Sequence, residues 1–473
     1  MSDFSSGSQR DLFYTIEDSF GSGPSILNMA EIRNTEDSVS LVRDNFVSDE
    51  RRGDRGIHDM RLGNKQPAGD MGFELSFDEY DRLLPMALCS DLAANTVITT
   101  NMTATYINKD TGVMTSTGET FVTKGFEVGD KVVTTGWSDG GNNGTFTINA
   151  VTEETMTLSP ITGLVTVAVG DAEATVDLAA WSPWTAPYTD LTVVVTATIT
   201  VNTIVRVGGS WIDDGVRVGD AITLVSATNN FTSYVTALEA LTMTVNSGVA
   251  TSAESTVFNT TAREIKKGTT VRSLVLEKAF TDIAEYQKYT GGIVNTMSLD
   301  INPNAIVTGS FGMLFKDAVN STSAYHSGTP VATTANRPFD GFSGYINEAN
   351  AANALASGMS ISLDNGFERN FVLMANTCPQ MTSGKSNVTG SITYYFPDQT
   401  LYNKFVNETE SSLEIRLVDD DLEGFIVTLP RIKYTSADTP INSDGAVINT
   451  MNFQALDDST EASNIIIRRQ PTA

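Results

Sequence analysis

Apolar and polar residues alternate along much of this chain with the period of two that buries one face of a β-strand. Met71, Phe73 and Leu75 carry the pattern near the start, and Ile392, Tyr394 and Phe396 repeat it late. Segments 273–276, 293–301, 413–418, 425–429 and 447–453 read as further strands. Helical spacing occurs in two places. Tyr80, Leu83, Leu84 and Ala87 fall at i, i+3, i+4 and i+7 behind an acidic first turn, Asp78-Glu79. Pro397 and Asp398 open a second stretch with Leu401, Tyr402, Phe405 and Val406. One short helix against antiparallel strands predicts an α+β sheet or small barrel, with open edges that can pair with a neighbour.

The two patterned segments are copies. Met60, Gly63, Gly69, Met71, Phe73 and Leu75 line up with Met381, Gly384, Gly390, Ile392, Tyr394 and Phe396 at a spacing of 321 residues. Val294-Asn295-Thr296-Met297 lines up with Ile448-Asn449-Thr450-Met451 at a spacing of 154. Two spacings within one duplication require an insertion in the first copy, here of 167 residues, and leave two units of about 153. The expected organisation is a first unit at 1–92 plus 265–318, an insert at 93–264, and a second unit at 319–473. A duplicated unit suggests a ring built from equivalent parts.

The insert repeats internally. Gly125, Val128, Gly129 and Asp130 match Gly215, Val218, Gly219 and Asp220, and Thr155-Met156-Thr157-Leu158 matches Thr242-Met243-Thr244-Val245. Short alternating strands between Gly-Asp, Asp-Gly and Asn-Asn turns predict two small all-β modules, at about 93–180 and 185–264. All four tryptophans lie here, at 137, 181, 184 and 211. Packing in module cores is their commoner use; stacking on sugars is the alternative.

A net charge of −27 with pI near 4.3 argues against a nucleic-acid-binding surface, which needs clustered Lys and Arg. Met1-Ser2-Asp3-Phe4 opens no signal segment, and no apolar run is long enough to span a bilayer, so the expectation is a soluble protein assembled in a cytoplasm. Cys89 and Cys378, one per unit, read as isolated buried thiols, with a disulfide as the alternative. His58 and His326 are the only histidines and read as surface residues, leaving few members for a metal site or a Ser-His-Asp relay. Gly384-Lys385-Ser386 lacks the glycine a phosphate loop needs five residues earlier, where Pro379 stands. Asp419-Asp420-Asp421 with Glu423 lacks calcium-loop spacing. The expectation is a protein that is no enzyme and holds no cofactor or metal. Asp49, Glu50, Arg51, Arg52, Asp54 and Arg55 form a mixed-charge run with no apolar period, read either as a solvated loop or as an arm contacting a neighbouring subunit or ring.

A family resemblance runs through Tyr14-Thr15-Ile16-Glu17-Asp18, Phe20-Gly21, Pro24, Ile32-Arg33, Ser48-Asp49-Glu50-Arg51, Asp54-Arg55, Gly63-Asn64-Lys65 and Gly69-Asp70. It continues through 280–289, Ile306-Val307-Thr308-Gly309-Ser310-Phe311, and Val388-Thr389-Gly390-Ser391 to Pro430-Arg431. In these residues the chain resembles the tail tube proteins, or major tail proteins, of long, non-contractile-tailed bacteriophages. The resemblance implies a mainly β fold of two duplicated β-sandwich or barrel tube domains, each with one short helix, whose inner sheets join into a continuous barrel. Six such domains make a ring, so three copies of a two-domain chain are expected. The stacked rings form a virion tail tube, through which tape-measure protein and viral DNA pass without specific binding. Tail terminator and tail tip proteins are the implied further partners, with no membrane. The alternative is a β-rich virion adhesin whose Trp-bearing insert binds a glycan.

Overall fold

The computed structural model describes residues 5–90 and 263–470 except 18, 23–28, 52–55, 350, 353–354, 420–423 and 439–445, together with the strands and some connections of 105–260. It is mainly β, as the sequence predicts. The chain opens with β1 (Arg10–Ile16), β2 (Ala30–Glu31), β3 (Glu36–Asp37), β4 (Ser40–Val47), β5 (Met60–Glu74) and helix α1 (Leu83–Ala87). Next come β6 (Thr105–Asn108), β7 (Val113–Ser116), β8 (Lys131–Thr135), β9 (Gly144–Val151), β10 (Thr155–Ser159) and β11 (Thr175–Leu178). Then follow β12 (Val193–Thr200), β13 (Thr203–Arg206), β14 (Ala221–Val225), β15 (Asn230–Leu238), β16 (Thr242–Val245) and β17 (Ser252–Thr260). The chain then forms β18 (Arg263–Lys266), β19 (Leu274–Phe280), β20 (Glu285–Ile301), β21 (Thr308–Leu314) and β22 (Asp317–Ser321). After these come β23 (Gly344–Glu348), β24 (Ala351–Ala352), β25 (Ala356–Asp364), β26 (Glu368–Asn370), β27 (Gln380–Thr382) and β28 (Asn387–Tyr395). Helix α2 (Thr400–Val406), β29 (Ser411–Val418), β30 (Gly424–Asp438), β31 (Ile448–Ala455) and β32 (Ile466–Gln470) complete it.

Strand pairing makes the duplication visible. In the first unit β5 pairs β21, β21 pairs β20, and β20 pairs β19. In the second, β28 pairs β31, β31 pairs β30, and β30 pairs β29. Even the irregularities coincide. The β19–β20 ladder slips between Leu274 and Leu276, and the β29–β30 ladder between Ser411 and Leu413. The β20–β21 ladder slips between Val294 and Thr296, and the β30–β31 ladder between Tyr434 and Ser436. A bulge leaves one residue unpaired and bends its strand, so shared bulges mark shared shape.

This pairing corrects the second spacing read from the sequence. Met297 opposes Phe311 while Ala437 opposes Met451, so β20 corresponds to β30 at a spacing of 140, and Ile448–Met451 corresponds to residues of β21. The Asn-Thr-Met match joined two strands that are not counterparts. The helices correspond at 319: Leu88 N–H donates to Leu84 O, as Asn407 N–H does to Asn403 O, and Cys89 and Glu408 both follow in left-handed backbone (φ 46° and 52°). Since β19 and β29 correspond at 137, from Leu274 to Ser411, the extra chain between helix and strand is 182 residues, not 167. The boundary read at 318 falls inside β22.

Both helices form, but they differ from the expectation and from each other. Every α1 residue is buried, because the turn before it, and not only one face, packs into the core: Tyr80 is 1% exposed and donates to Arg33 O at 2.9 Å. Asp78 and Glu79 do not form the expected acidic first turn. Glu79 instead accepts from the backbone N–H groups of Arg33 and Thr334, both at 2.9 Å. No residue of α2 is buried; Leu401 and Phe405 lean on the core while Tyr402 and Val406 face out.

One apolar core runs through both units, with Phe73 stacked on Phe311 at 4.5 Å and Phe77 beside Phe425 at 5.6 Å. In the insert β6–β11 form one six-stranded sheet and β12–β17 close into a barrel. Met156 opposes Met114, and Met243 opposes Ile204. The insert's flanks are zipped together, for Leu88 O and Cys89 O accept from Gly268 N–H and Thr270 N–H at 3.1 and 3.0 Å.

Candidate assembly surface

The two units meet along a strand pair. Met297 opposes Leu363, Ser298 opposes Ser362 and Ile301 opposes Met359, so β25 of the second unit extends the sheet beside the C-terminal half of β20. The hairpin β26–β27 then folds onto the first unit. Phe367, Cys378 and Met381 share a buried apolar cluster with Cys89 and Ile293. Polar groups fix the same contact: Asn365 Nδ2 donates to Ala87 O at 2.7 Å, Lys65 N–H to Asn376 O at 2.8 Å, and the Arg369 guanidinium to Phe315 O at 3.3 Å and to Pro67 O. Burial pushes the Cys378 thiol above its usual range, against the opposing pull of Arg369 and Lys316. Both cysteines are free and buried. They are not isolated, since they sit in one cluster across the joint.

A second tie comes from the last strand. Arg469 on β32 pairs with Asp81 at 2.7 Å and with Asp78, and lies 4.2 Å over the Phe77 ring. Burial pulls its guanidinium down to about 10.

Both ends of this joint recur where no strand pairs with them. Among the described residues β3 and β4 pair only β5, leaving their outer edge open, although β25, their counterpart, is paired on both sides. Among the same residues the C-terminal half of β30 pairs β31 alone, although its counterpart in β20 also pairs β25. Open edges present unpaired N–H and C=O groups that template another strand. The β3 edge is held in place by buried charge: Asp37 accepts from Lys278 at 2.5 Å and from Arg10 at 3.0 Å. Burial lowers the Lys278 ammonium's affinity for its proton, and Asp37 opposes that shift.

The outer half of β4–β5 has the register of β26–β27. Phe46 opposes Arg61 and Val47 opposes Met60, as Glu368 opposes Thr382 and Arg369 opposes Met381. The first hairpin, however, stands exposed: Phe46, Val47, Ile57, Met60 and Leu62 are 62, 47, 76, 54 and 54% accessible. At its tip Ser48 N–H bonds Asp59 O at 2.9 Å, and Asp49, Glu50 and Arg51 lie exposed. Arg52, Asp54 and Arg55 lie outside the described residues. Sequence reading singled out the charges of this arm and missed the apolar residues flanking them.

Across the molecule, α2 is anchored through Lys404, whose ammonium donates to both Glu348 oxygens at 2.7 Å, while Tyr434 also donates to Glu348. Beside it lies an ionic patch in which Glu410 meets Arg431 at 2.6 Å and Lys433 at 3.8 Å, and Lys433 reaches Glu408 at 4.0 Å. The Arg431 hydrogen bond holds the Glu410 carboxyl below its usual range.

The sheet running β5, β21, β20, β25, β28, β31, β30 has one core face and one polar face. Met71, Phe311, Met297, Ile361, Ile392 and Met451 lie on the first. The alternate positions on the second face include Asp70, Thr308, Ser310, Ser298, Asp300, Ser362, Asp364, Thr389 and Asn452, and at its β30 end Lys433, which opposes Gln454. Hydroxyls and amides pair laterally across it: Ser298 with Ser310 and Ser360 with Ser391 at 2.9 Å, and Asn452 Nδ2 onto Ser436 Oγ at 2.7 Å.

Among the described residues no group of three or more His, Cys, Asp or Glu side chains could hold a metal ion. His58 is exposed. His326 is not the surface residue expected, for its Nδ1 lies 3.2 Å from the buried Glu277 and its ring 4.9 Å from Phe13. Trp137 and Trp211 are buried and offer no face for a sugar, while Trp181 and Trp184 lie outside the described residues. No helix of the described residues is long and apolar enough to cross a membrane. No curated protein matches the chain. Residues 236–455 match the family described as phage tail tube protein. The match runs from β15 through both halves of the unit joint to the end of β31. Over that span, which holds the half-paired end of β30 and most of the polar sheet face, the chain is similar to the phage tail tube proteins.

Proposed function

We propose that this chain closes head to tail into a ring of three copies, and that stacked rings form the virion tail tube through which the genome leaves. The observation that supports this reading is the unpaired half of β30, at the place where β20 pairs β25. Carrying the internal register over to a neighbouring copy sets Ser436 opposite Val42, Ala437 opposite Leu41 and Asp438 opposite Ser40. Closure on that register leaves no free edge in the ring. Residues 1–92 with 265–321 supply one sixth of the barrel and 322–473 another, while 93–264 is carried outside.

In such a ring the polar face of the sheet lines the lumen. Its hydroxyls pair with one another, its carboxylates repel a phosphate backbone, and Lys433 at its β30 end lies beside Glu408 and Glu410. Tape-measure protein and DNA pass such a wall without a specific contact, while terminator and tip proteins close the ends of the stack. Assembly proceeds in the host cytoplasm.

The test is Val42→Cys with Ser436→Cys in the full chain, combined with electron microscopy of the assembled material. The expected result is tubes with an open channel and oxidised covalent species that end at three copies. Filaments without a channel, or a ring of six chains with one unit of each facing the lumen, would overturn the reading.

A further inference from the structure

We propose that the exposed half of the β4–β5 hairpin is a docking element that seats laterally on helix α2 of a second copy, in the same ring. This rests on the ring reading above and names the surfaces that complete its joints.

The argument is an internal control. The chain contains one joint between units and, by its duplication, half of another joint at each end. In the complete joint β26–β27 lies against the segment that follows α1, where Met381 and Cys378 are 6 and 0% exposed beside Cys89. Met60 holds the register position of Met381, and it is 54% exposed. On the receiving side Ala87 of α1, whose carbonyl accepts from Asn365, is 0% exposed, whereas its counterpart on α2, Val406, is 56% exposed. Uncovered apolar residues thus stand at matching positions on both halves of the missing joint. Apolar groups left in water at corresponding places on two complementary surfaces identify each other as partners.

The charges fit the same placement. Ile293, in the complete joint, corresponds to Lys433, and Cys89 corresponds to Glu408. The joint between copies therefore sets the charged tip bearing Asp49 and Arg51 against the ionic patch of Glu408, Glu410, Arg431 and Lys433. The joint within the chain is apolar at this level, while the joint between copies carries opposed charges. It is the salt-sensitive one.

The experiment uses Met60→Cys with Lys433→Cys in the full chain, a short bis-maleimide, and single rings separated from tubes by size exclusion. Cross-linked trimers from rings bearing both substitutions, and none from either alone, are expected. Rings that form but do not cross-link, or that cross-link only when stacked, would overturn lateral docking and leave the tube reading standing. A parent protein that forms no ring would overturn both. As a second measurement, Met60→Ser and Val406→Ser should each weaken ring formation about tenfold without changing the melting temperature. Combining them should weaken it no further than either does alone. Additive losses would count against contact between these two residues.

Discussion

Met60 and Met381 occupy the same register position on two equivalent hairpins, opposite Val47 and Arg369, yet Met381 is 6% exposed and Met60 54%. The sequence around them is nearly in step, so the difference lies in what each hairpin rests on. Met381 packs with Cys89 and Ile293 of the first unit, whereas Met60 stands in the open.

Reversing the arm's cations tests whether its charges matter to assembly. Arg51→Glu, Arg52→Glu and Arg55→Glu together should leave the melting temperature within a few degrees of the parent and shorten or abolish tubes at low salt. Each exposed ion pair is worth only about 0 to 1 kcal/mol, so the effect depends on repetition around the ring and along the stack. Tube length by electron microscopy at low and high salt is the measurement; equal polymerisation by the variant at both makes the arm a solvated loop.

Two glycines in the sheet lie under aromatic rings. A Cβ at Gly309 would meet Ser298 O at 2.3 Å and the Phe73 ring at 2.5 Å, and at Gly390 Ser360 O at 2.2 Å and the Phe453 ring at 2.5 Å. Backbone cannot give way as a flexible side chain can. Gly309→Ala and Gly390→Ala should each cost about 1–3 kcal/mol in denaturant unfolding, whereas Gly7→Ala, with nothing within 4 Å, should cost almost nothing.

Acid should loosen the seam between β18 and β32 first. Burial raises the Glu264 carboxyl, but Arg468 and Lys266 outweigh it and hold it below its ordinary value of 4.5. A carboxyl depressed in the folded state stabilises above its unfolded pKa, and the contribution is lost as pH falls through the folded value. The parent's melting temperature should therefore fall as pH drops below about 4.5, and Glu264→Gln should start lower and fall less steeply. Parallel curves would show that Glu264 carries none of this dependence.

Removal of the insert should be tolerated. Its flanks are already joined by the bonds from Gly268 and Thr270 to Leu88 and Cys89, and its sheets share no strand pairing with the sheet of the two units among the described residues. Deleting 93–262 behind a short Gly-Ser linker should give folded protein that still forms tubes, because chain closure across a short gap costs little. Insoluble or unfolded product would show that the insert supports the fold.

The strands were legible because period-two alternation records a half-buried sheet whatever its partners, as Met71 and Phe73 show. The duplication was legible in β5 and β28, which keep glycines and apolar positions alike. It misled at Val294–Met297, where a short string of common residues matched a strand that is not its counterpart; bulges and register, which settle the correspondence, leave no mark in residue identity. The helices were placed correctly by spacing but not by burial, since Ala87 is reached by Asn365 from a distant segment of chain while its counterpart Val406 stands bare. The candidate surface was legible only as charge. Phe46, Ile57 and Met60 look like ordinary strand and loop residues until their exposure is known.

The cluster of Cys89, Ile293, Phe367, Cys378 and Met381 carries a mechanical consequence. In a ring closed as proposed, three seams are covalently tethered and apolar, and the other three are held by separable surfaces. Tethering keeps the first kind at a high effective concentration, so thermal or osmotic stress opens only the second. The wall then yields at every other seam, giving a tube a threefold pattern of compliance even though its lining repeats six times.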